Sequence, residues 1–229
     1  MRVAIIVFPG SNCDRDMMVA AETLTGRRPA LIWHKQTNLD PVDLAIIPGG
    51  FSFGDYLRCG ALAAHAPIMN ALIDHAARGG AILGVCNGFQ ILIEAGMLPG
   101  FLARNKELKF VCKQTSLSIN SDASCELIKS LDSSEKLQIP VAHNEGNFFA
   151  DPETLDKIES NGQVVLRYVN EDKKNTGNPN GSLNDIAAIC SSNGKILGMM
   201  PHPERAMGAG HESADGKKLL QSIFEAIIA

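Results

Sequence analysis

The sequence of 229 residues is poor in aromatic side chains, in net positive charge and in long apolar runs. Aromatic residues make up 5% of the chain, which is too few for a surface on which nucleic-acid bases stack. Lys and Arg number 21 against 25 Asp and Glu, so the net charge is −4, whereas a binder of phosphate backbones needs a basic surface. No stretch approaches the roughly 20 consecutive apolar residues of a membrane-spanning helix. A hydrophobic fraction of 45% instead favours a globular domain.

Closely spaced cysteines are also missing. The six cysteines include no two within four residues of each other, so their spacing provides neither a zinc knuckle nor a redox pair. Folding of a chain this long buries roughly 70% of its surface, so disulfides are not needed. The apolar run at residues 3–8 is too short for the core of a signal peptide. We therefore expect reduced thiols, no metal site and a cytoplasmic location.

The first half of the chain alternates strand-like and helix-like segments. The continuous apolar runs of the predicted strands are typical of strands buried on both faces. Alternation of such strands with helices predicts a parallel sheet with helices packed on it. The predicted strands are residues 3–8, 30–33, 44–47 and 81–85, and the predicted helices are residues 14–24, 68–78 and 88–95.

The second half has short strand candidates that follow each other closely, which predicts antiparallel pieces. These candidates are residues 109–113, 117–120, 138–142, 164–168, 186–189 and 196–200. A last helix is predicted at residues 214–228, and the polar residues 170–181 are predicted to form a surface loop. No repeat or linker divides the chain. We therefore expect one α/β domain over residues 1–229, with a mostly parallel central sheet flanked by helices and extra antiparallel strands in the C-terminal half.

The most informative segment places a cysteine between the fourth strand and the next helix. Cys86 is flanked by Gly84 and Gly88, as expected for a tight strand-to-helix turn that lifts a nucleophile above the edge of the sheet. The N-terminus of a helix favours the thiolate form of such a cysteine, and the backbone N–H of Asn87 could stabilise an oxyanion. The alternative is a buried, inert cysteine, which is the interpretation adopted for the other five.

Two further segments supply the groups that a nucleophilic cysteine needs. Gly49 and Gly50 follow the third strand, and Gly50 could offer a second oxyanion donor, although a Gly-Gly pair there is also typical of a plain turn. Near the C-terminus, His202 and Glu204 alternate with prolines. Because a residue before proline is held extended, we expect both side chains on one face, with the carboxylate orienting the imidazole. The three segments predict acyl transfer through a thioester.

These motifs, in this order, resemble the class I, triad-type glutamine amidotransferase family. The resemblance is strongest to one branch, the glutaminase subunits of phosphoribosylformylglycinamidine synthase. The segments that carry the resemblance to this branch are residues 48–58, 86–90, 142–147, 178–182 and 198–204. It implies a flavodoxin-like fold and hydrolysis of glutamine to glutamate and ammonia, with the ammonia passed on for ATP-dependent synthesis of formylglycinamidine ribonucleotide in purine biosynthesis.

The resemblance also implies roles for individual residues. Cys86 would be the nucleophile, His202 the general base and acid, and Glu204 the partner that orients His202. The backbone N–H groups of Gly50 and Asn87 would hold the oxyanion. The residues expected to bind the substrate glutamine are Gly49, Gln90 and His143. Plain structural roles for Gln90 and His143 stay open.

The resemblance places ATP and Mg on a large synthase subunit, because this chain has no phosphate-binding Gly-Lys-Ser/Thr loop. A small accessory subunit would complete the complex, and residues 53–58 and 170–182 are candidates for docking. Three alternatives stay open. The chain could serve a different ammonia-using synthase or act alone as a glutaminase, it could be a cysteine hydrolase of a related fold, or it could be a non-catalytic subunit.

Overall fold

One sheet of nine strands positions the motifs singled out in the sequence, and the computed structural model describes residues 1–170 and 177–228. The strands are β1 Val3–Val7, β2 Ala30–Trp33, β3 Leu44–Ile47, β4 Ala81–Val85, β5 Phe101–Ala103, β6 Val111–Ile119, β7 Lys136–His143, β8 Asn147–Phe149, β9 Val164–Val169, β10 Ile186–Cys190 and β11 Ile196–Met199. The helices are α1 Asp14–Thr25, α2 Ile68–Ala77, α3 Asn87–Glu94, α4 Pro152–Ser160 and α5 Asp215–Ile228. No helix in the described residues has the length and apolar content needed to cross a membrane.

The order of strands in the main sheet is β2-β1-β3-β4-β11-β10-β9-β6-β7. The strands from β2 to β11 in this order are all parallel, and the rest continue the same sheet in antiparallel fashion. Every residue of β3, β4 and β11 is buried, which explains their unbroken apolar sequences. The predicted fold class, a parallel α/β sheet with antiparallel strands from the C-terminal half, is confirmed.

The pairing of β11 with β4 is the feature that builds the site. Met199 lies opposite Val85 in the parallel register, so the chain leaves the two strands side by side at the same edge. The backbone N–H of Cys86 then donates to the carbonyl of Met199 at 2.7 Å. Two segments more than a hundred residues apart in sequence therefore meet where ligands bind in open α/β sheets.

Several elements differ from the prediction. The separate strands predicted at residues 109–113 and 117–120 are one strand, β6, whose polar middle is compatible with a strand because only alternate residues, such as Thr115 and Leu117, are buried. The prediction also missed the small antiparallel pair of β5 and β8, and helix α4. Helix α4 begins with Asp151 as N-cap, whose carboxylate accepts from the N–H of Thr154, and with Pro152 in its first turn.

The polar segment predicted as a surface loop is irregular and only partly exposed where it is described. Residues 171–176 lie outside the described residues. Farther along, Asn180 and Ser182 are 1% and 4% exposed, so they are buried rather than solvated. Their polar side chains hydrogen-bond to each other and to the backbone of Gly146, so the polarity of these residues serves internal bonds and not contact with water.

Candidate active site

Cys86 occupies a strained turn between β4 and α3. Its backbone has φ +50° and ψ −103°, a left-handed conformation that side-chain-bearing residues rarely adopt. A Cβ on Gly88 would overlap the carbonyl oxygen of Ile47, and one on Gly84 would lie 2.5 Å from Cδ1 of Leu92. The two flanking glycines are therefore required by close packing on both sides of the turn. The arrangement has the geometry of the nucleophile elbow that the sequence predicts, and the role of Cys86 as nucleophile stays a prediction.

His202 reaches the same place from the end of β11. Its backbone N–H donates to the carbonyl of Pro140 at 2.8 Å, which fixes the chain beyond the strand. Cys86 and His202 line one cavity of about 80 Å³, together with Gly50 and Ala142. The sulfur of Cys86 also lies 3.6 Å from the carbonyl oxygen of Ala142. The structure thus brings together the cysteine and the histidine that the sequence places far apart.

Glu204 is hydrogen-bonded to His202 inside the protein. Nδ1 of His202 and Oε1 of Glu204 lie 2.7 Å apart, and both residues are almost fully buried. The expected extended path is only partly right, because Pro203–Arg205 form a 3-10 turn that brings the carboxylate back to the ring. Within the described residues, Nε2 of His202 has no hydrogen-bond partner, so it is available to a reacting group.

The charge on His202 depends on its two neighbours. Burial alone would lower the pKa of the imidazole, but the Glu204 carboxylate and the Cys86 sulfur outweigh burial and raise this pKa well above its ordinary value of 6.5. The imidazolium is thus favoured at neutral pH, paired with Glu204 on one side and facing Cys86 on the other. Such a pair can supply a thiolate nucleophile and a proton for a leaving group.

The predicted oxyanion donors lie on the two turns beside Cys86. Gly50 lines the cavity with φ +146°, and a Cβ there would lie 2.7 Å from Cα of Ser11. Asn87 is the first residue of α3, where backbone N–H groups have no partner within the helix. Among the described residues, neither of these two N–H groups donates a hydrogen bond. The side chain of Asn87 ties the turns together, because its Oδ1 accepts from the N–H of Ser52 at 3.1 Å.

The three residues predicted to bind substrate have other contacts in the structure. A Cβ on Gly49 would lie 2.6 Å from Cε1 of His202, so this glycine allows close approach of the imidazole. The amide of Gln90 donates to the carbonyl of Glu145 at 2.6 Å and accepts from Asn87 at 2.9 Å. Both ends of the Gln90 amide are therefore engaged within the chain, and its contact with glutamine stays a prediction.

His143 lies behind the cavity rather than in its lining. Its Nδ1 is 3.0 Å from Oδ1 of Asn105, and its Nε2 is 3.4 Å from the amide nitrogen of Asn180. Because Asn105 uses its Nδ2 to donate to backbone carbonyls, its Oδ1 accepts and the His143 proton is on Nδ1. Burial, with a smaller effect from the charge of His202, lowers the pKa of His143 to about 4. A neutral, buried ring of this kind positions the loop at residues 143–146, and its contact with glutamine stays a prediction.

The sequence interpretation missed two residues next to the triad. Cys13, treated there as inert, lines the cavity beside Cys86 and His202, and Nη2 of Arg205 donates to its sulfur at 3.1 Å. Sγ of Cys13 and ligand atoms of His202 and Glu204 all lie within 4.8 Å of one another, a donor set of the kind that binds zinc. A cation among them would have to replace the proton between His202 and Glu204 and would face the Arg205 guanidinium. The geometry suits a catalytic triad better, and the expected absence of a metal stays a prediction.

Comparison with known proteins agrees with this geometry. Phosphoribosylformylglycinamidine synthase subunit PurQ of Trichormus variabilis is 48% identical over 229 residues, which span 100% of this chain and 99% of the relative. The PurQ subunit of Rhizobium etli is 49% identical over 100% of both chains. A chain in the structure of PurLQS from Thermotoga maritima superposes with a TM-score of 0.85 at 41% identity and covers 98% of this chain and 97% of its own length. Residues 1–226 match the CobB/CobQ-like glutamine amidotransferase domain, so the chain belongs to this family of glutamine amidotransferases.

Proposed function

We propose that this chain is the glutaminase subunit of phosphoribosylformylglycinamidine synthase, acting as a single amidotransferase domain over residues 1–229. It hydrolyses glutamine to glutamate and ammonia, and the ammonia is used for ATP-dependent conversion of formylglycinamide ribonucleotide to formylglycinamidine ribonucleotide. The observation that carries the proposal is the meeting of Cys86 with the hydrogen-bonded pair of His202 and Glu204 at the ends of β4 and β11. Full-length similarity to subunits of this synthase supports the choice of pathway.

In the first half of the reaction, the Cys86 thiolate attacks the side-chain amide carbon of glutamine. The electron pair of the C=O bond moves to oxygen, and the oxyanion is held by the N–H groups of Gly50 and Asn87. The His202 imidazolium then gives its Nε2 proton to the amide nitrogen, the C–N bond breaks, and ammonia leaves. A γ-glutamyl thioester on Cys86 results, and His202 is neutral.

In the second half, the same residues work in the reverse sense. Neutral His202 takes a proton from water, and the hydroxide formed attacks the thioester carbonyl. The oxyanion is held as before, the C–S bond breaks, and Cys86 returns to the thiolate. The γ-carboxylic acid formed loses its proton to solvent and leaves as glutamate. Glu204 stays ionised throughout and favours the imidazolium, which is present at the start and forms again when His202 takes a proton from water.

The proposed function requires partner subunits, because the sequence has no Gly-Lys-Ser/Thr phosphate-binding loop for ATP. The ATP, Mg and ribonucleotide sites belong to a large synthase subunit, and a small accessory subunit completes the complex. The Thermotoga neighbour comes from a structure of PurLQS, which supports a three-component assembly. Glutamine is the substrate bound here, and nucleic acid and membranes are not expected partners. All six cysteines are free thiols, which supports a cytoplasmic location.

The predicted docking segment 53–58 is the best candidate for contact with the large subunit. Tyr56 and Leu57 are 74% and 87% exposed, and the segment follows directly on the oxyanion turn. The backbone of Phe53, Asp55 and Leu57 has positive φ, so the segment holds an unusual, costly conformation. A partner contacting this loop would touch the strand-end turn that carries Gly50. The other predicted docking segment is less suitable where it is described, because Asn180 is buried.

Reconstitution tests the proposal directly. The chain is mixed with the large and accessory subunits of the synthase from the same source, with formylglycinamide ribonucleotide, ATP, Mg and glutamine, and amidine product is measured. Product should form at a rate that depends on this chain. If this mixture is inactive while the chain supports a different ammonia-using synthase, the pathway is wrong. If no glutamate is released in any complex, the glutaminase assignment is wrong, and a hydrolase of a related fold or a non-catalytic subunit becomes the better interpretation.

A further inference from the structure

The residue immediately after the catalytic carboxylate is a potential competitor for it. Arg205 follows Glu204 in the same 3-10 turn, and Oε2 of Glu204 is buried with no hydrogen-bond partner in the described residues. A guanidinium pairs readily with such an oxygen, because it presents several N–H donors in a rigid fork. A guanidinium on Oε2 would offset the carboxylate charge that favours the His202 imidazolium and would pull the carboxylate away from Nδ1.

In the structure Arg205 is directed elsewhere. Its Nε donates to Oδ2 of Asp16 at 3.2 Å, and its Nη2 donates to the sulfur of Cys13 at 3.1 Å. Arg205, Asp16 and Glu204 all line a second cavity, of about 560 Å³, and the Glu204 side chain is 0% exposed, so the guanidinium would have to move in from this cavity to meet the carboxylate. Room to move is therefore available, and the contacts with Asp16 and Cys13 decide where the guanidinium lies.

Cys13 is fixed where it can hold Arg205. Its backbone N–H donates to the carbonyl of Gly49 at 3.3 Å. A Cβ on Gly49 would lie 3.2 Å from the Cys13 sulfur and 2.6 Å from Cε1 of His202, so both side chains pack against this glycine. The sulfur also lies within 4.8 Å of ligand atoms of His202 and Glu204. The oxyanion turn, the start of α1 and the His202–Glu204 turn thus converge on one buried side chain, which is 3% exposed.

We propose that Cys13 is a positioning residue for the glutaminase reaction: its sulfur holds the Arg205 guanidinium away from Glu204 and so keeps that carboxylate bonded to His202. The inference rests on the proposed function. It assigns Cys13 no covalent step, because Cys86 is the nucleophile. It requires an acceptor at position 13 and predicts that the effect of removing it depends on Arg205.

The test is a double-mutant cycle with Cys13→Ala, Arg205→Met and the combined variant, plus Cys13→Ser as the conservative replacement. Glutamine hydrolysis is measured in the reconstituted complex. Cys13→Ala should lower kcat about 10-fold with KM within about 2-fold, and should shift the alkaline limb of the pH profile to lower pH, because His202 loses the carboxylate that favours its charged form. Cys13→Ser, which keeps an acceptor, should recover most of the rate.

The decisive comparison is the combined variant. If Arg205 captures Glu204 when Cys13 is truncated, then removing Arg205 as well should restore kcat to within about 3-fold of Arg205→Met alone. A combined variant as slow as Cys13→Ala, or slower, overturns the proposal. Cys13→Ala with wild-type kcat and pH profile also overturns it.

A spectroscopic readout separates failure of this proposal from failure of the proposed function. The His202 Nδ1 proton, bonded to Glu204, should give a low-field proton resonance in the full chain labelled with nitrogen-15 at histidine. The resonance should disappear or move upfield in Cys13→Ala and return in the combined variant. The measurement needs no activity, so an inactive wild-type complex would contradict the glutaminase assignment alone, whereas an unchanged resonance in Cys13→Ala would contradict the role of Cys13.

Discussion

Nδ1 of His202 and Oε1 of Glu204 lie 2.7 Å apart with only Pro203 between the two residues. A short 3-10 turn over Pro203–Arg205 achieves this, and both side chains are withdrawn from water. At such a distance in a buried site, an ionised carboxylate favours the imidazolium strongly. The pair can therefore keep a proton ready for departing ammonia at neutral pH, and the first prediction tests this consequence.

Replacing Glu204 with Gln should lower kcat and move its pH dependence. The Glu204 charge raises the pKa of His202, so its removal lowers that pKa. The alkaline limb of kcat, where His202 loses the proton needed by the leaving group, should then move to lower pH. The loss in kcat should be on the order of 10²- to 10⁴-fold, the range seen when an orienting carboxylate is neutralised. Steady-state glutamate release from pH 6 to pH 10 measures both effects, and an unchanged profile would remove Glu204 from the mechanism.

Replacing Gly49 with Ala should damage catalysis without unfolding the protein. The new Cβ would lie 2.6 Å from Cε1 of His202, so the ring must move away from its position beside Cys86. Displacement of the imidazole by about 1 Å should lower kcat about 100-fold. Gly26→Ala is the control, because Gly26 has φ +65° with no atom near its absent Cβ and should lose only about 1 kcal/mol of stability. Thermal unfolding and glutamine hydrolysis are compared for the two variants, and equal activities would contradict the assigned geometry.

Replacing Asn180 with Ala should lower stability rather than weaken subunit assembly. Asn180 Nδ2 donates to the carbonyl of Gly146 at 2.7 Å, and its Oδ1 accepts from the hydroxyl of Ser182 at 2.7 Å. Loss of both partners in a buried site should cost about 2 kcal/mol. Denaturant unfolding measures the cost, and size-exclusion chromatography with partner subunits checks assembly. Wild-type stability together with lost assembly would contradict this and would support residues 170–182 as a docking segment.

The buried His143 should make the protein less stable in mild acid. Its pKa is about 4 in the folded state against 6.5 ordinarily, so between these values the unfolded chain takes up a proton that the folded chain refuses. The free energy of unfolding therefore keeps its full value with respect to His143 above pH 6.5 and decreases as the pH falls toward 4. The decrease due to His143 is about 2 kcal/mol at pH 5. His143→Gln should therefore show a shallower decline in the free energy of unfolding from pH 7 to pH 5. The exposed His65→Gln serves as control, and equal slopes for wild type and His143→Gln would contradict this account.

Much of the site could be predicted from sequence because its chemistry is written in local patterns. Gly84, Cys86 and Gly88 predict the elbow, since at each glycine neighbouring atoms lie too close to leave room for a Cβ. Likewise, the unbroken apolar runs of β3, β4 and β11 identify buried parallel strands. Residues in such local patterns can be assigned before any tertiary contact is known.

Other features depend on contacts between distant residues and left no local signal. The sequence around Cys13 is typical of a buried, unreactive thiol, and only the fold places Cys13 beside His202 and Arg205. Asn180 lies in a polar stretch that is typical of a surface loop, and its burial goes with a hydrogen bond to the distant backbone of Gly146. By contrast, helix α4 had a readable start in Asp151 and Pro152, so missing it was an error of interpretation.

The most direct test of the account replaces Cys86 with Ala and compares two nitrogen sources in the reconstituted synthase. Amidine synthesis is measured with glutamine and, separately, with ammonium chloride at alkaline pH, where free ammonia is available. The exposed Cys112→Ala serves as the control for loss of a thiol. The account predicts that Cys86→Ala loses glutamine-dependent synthesis and keeps the ammonium-dependent rate, while Cys112→Ala keeps both. Retention of glutamine-dependent synthesis by Cys86→Ala would contradict the role of Cys86 as nucleophile.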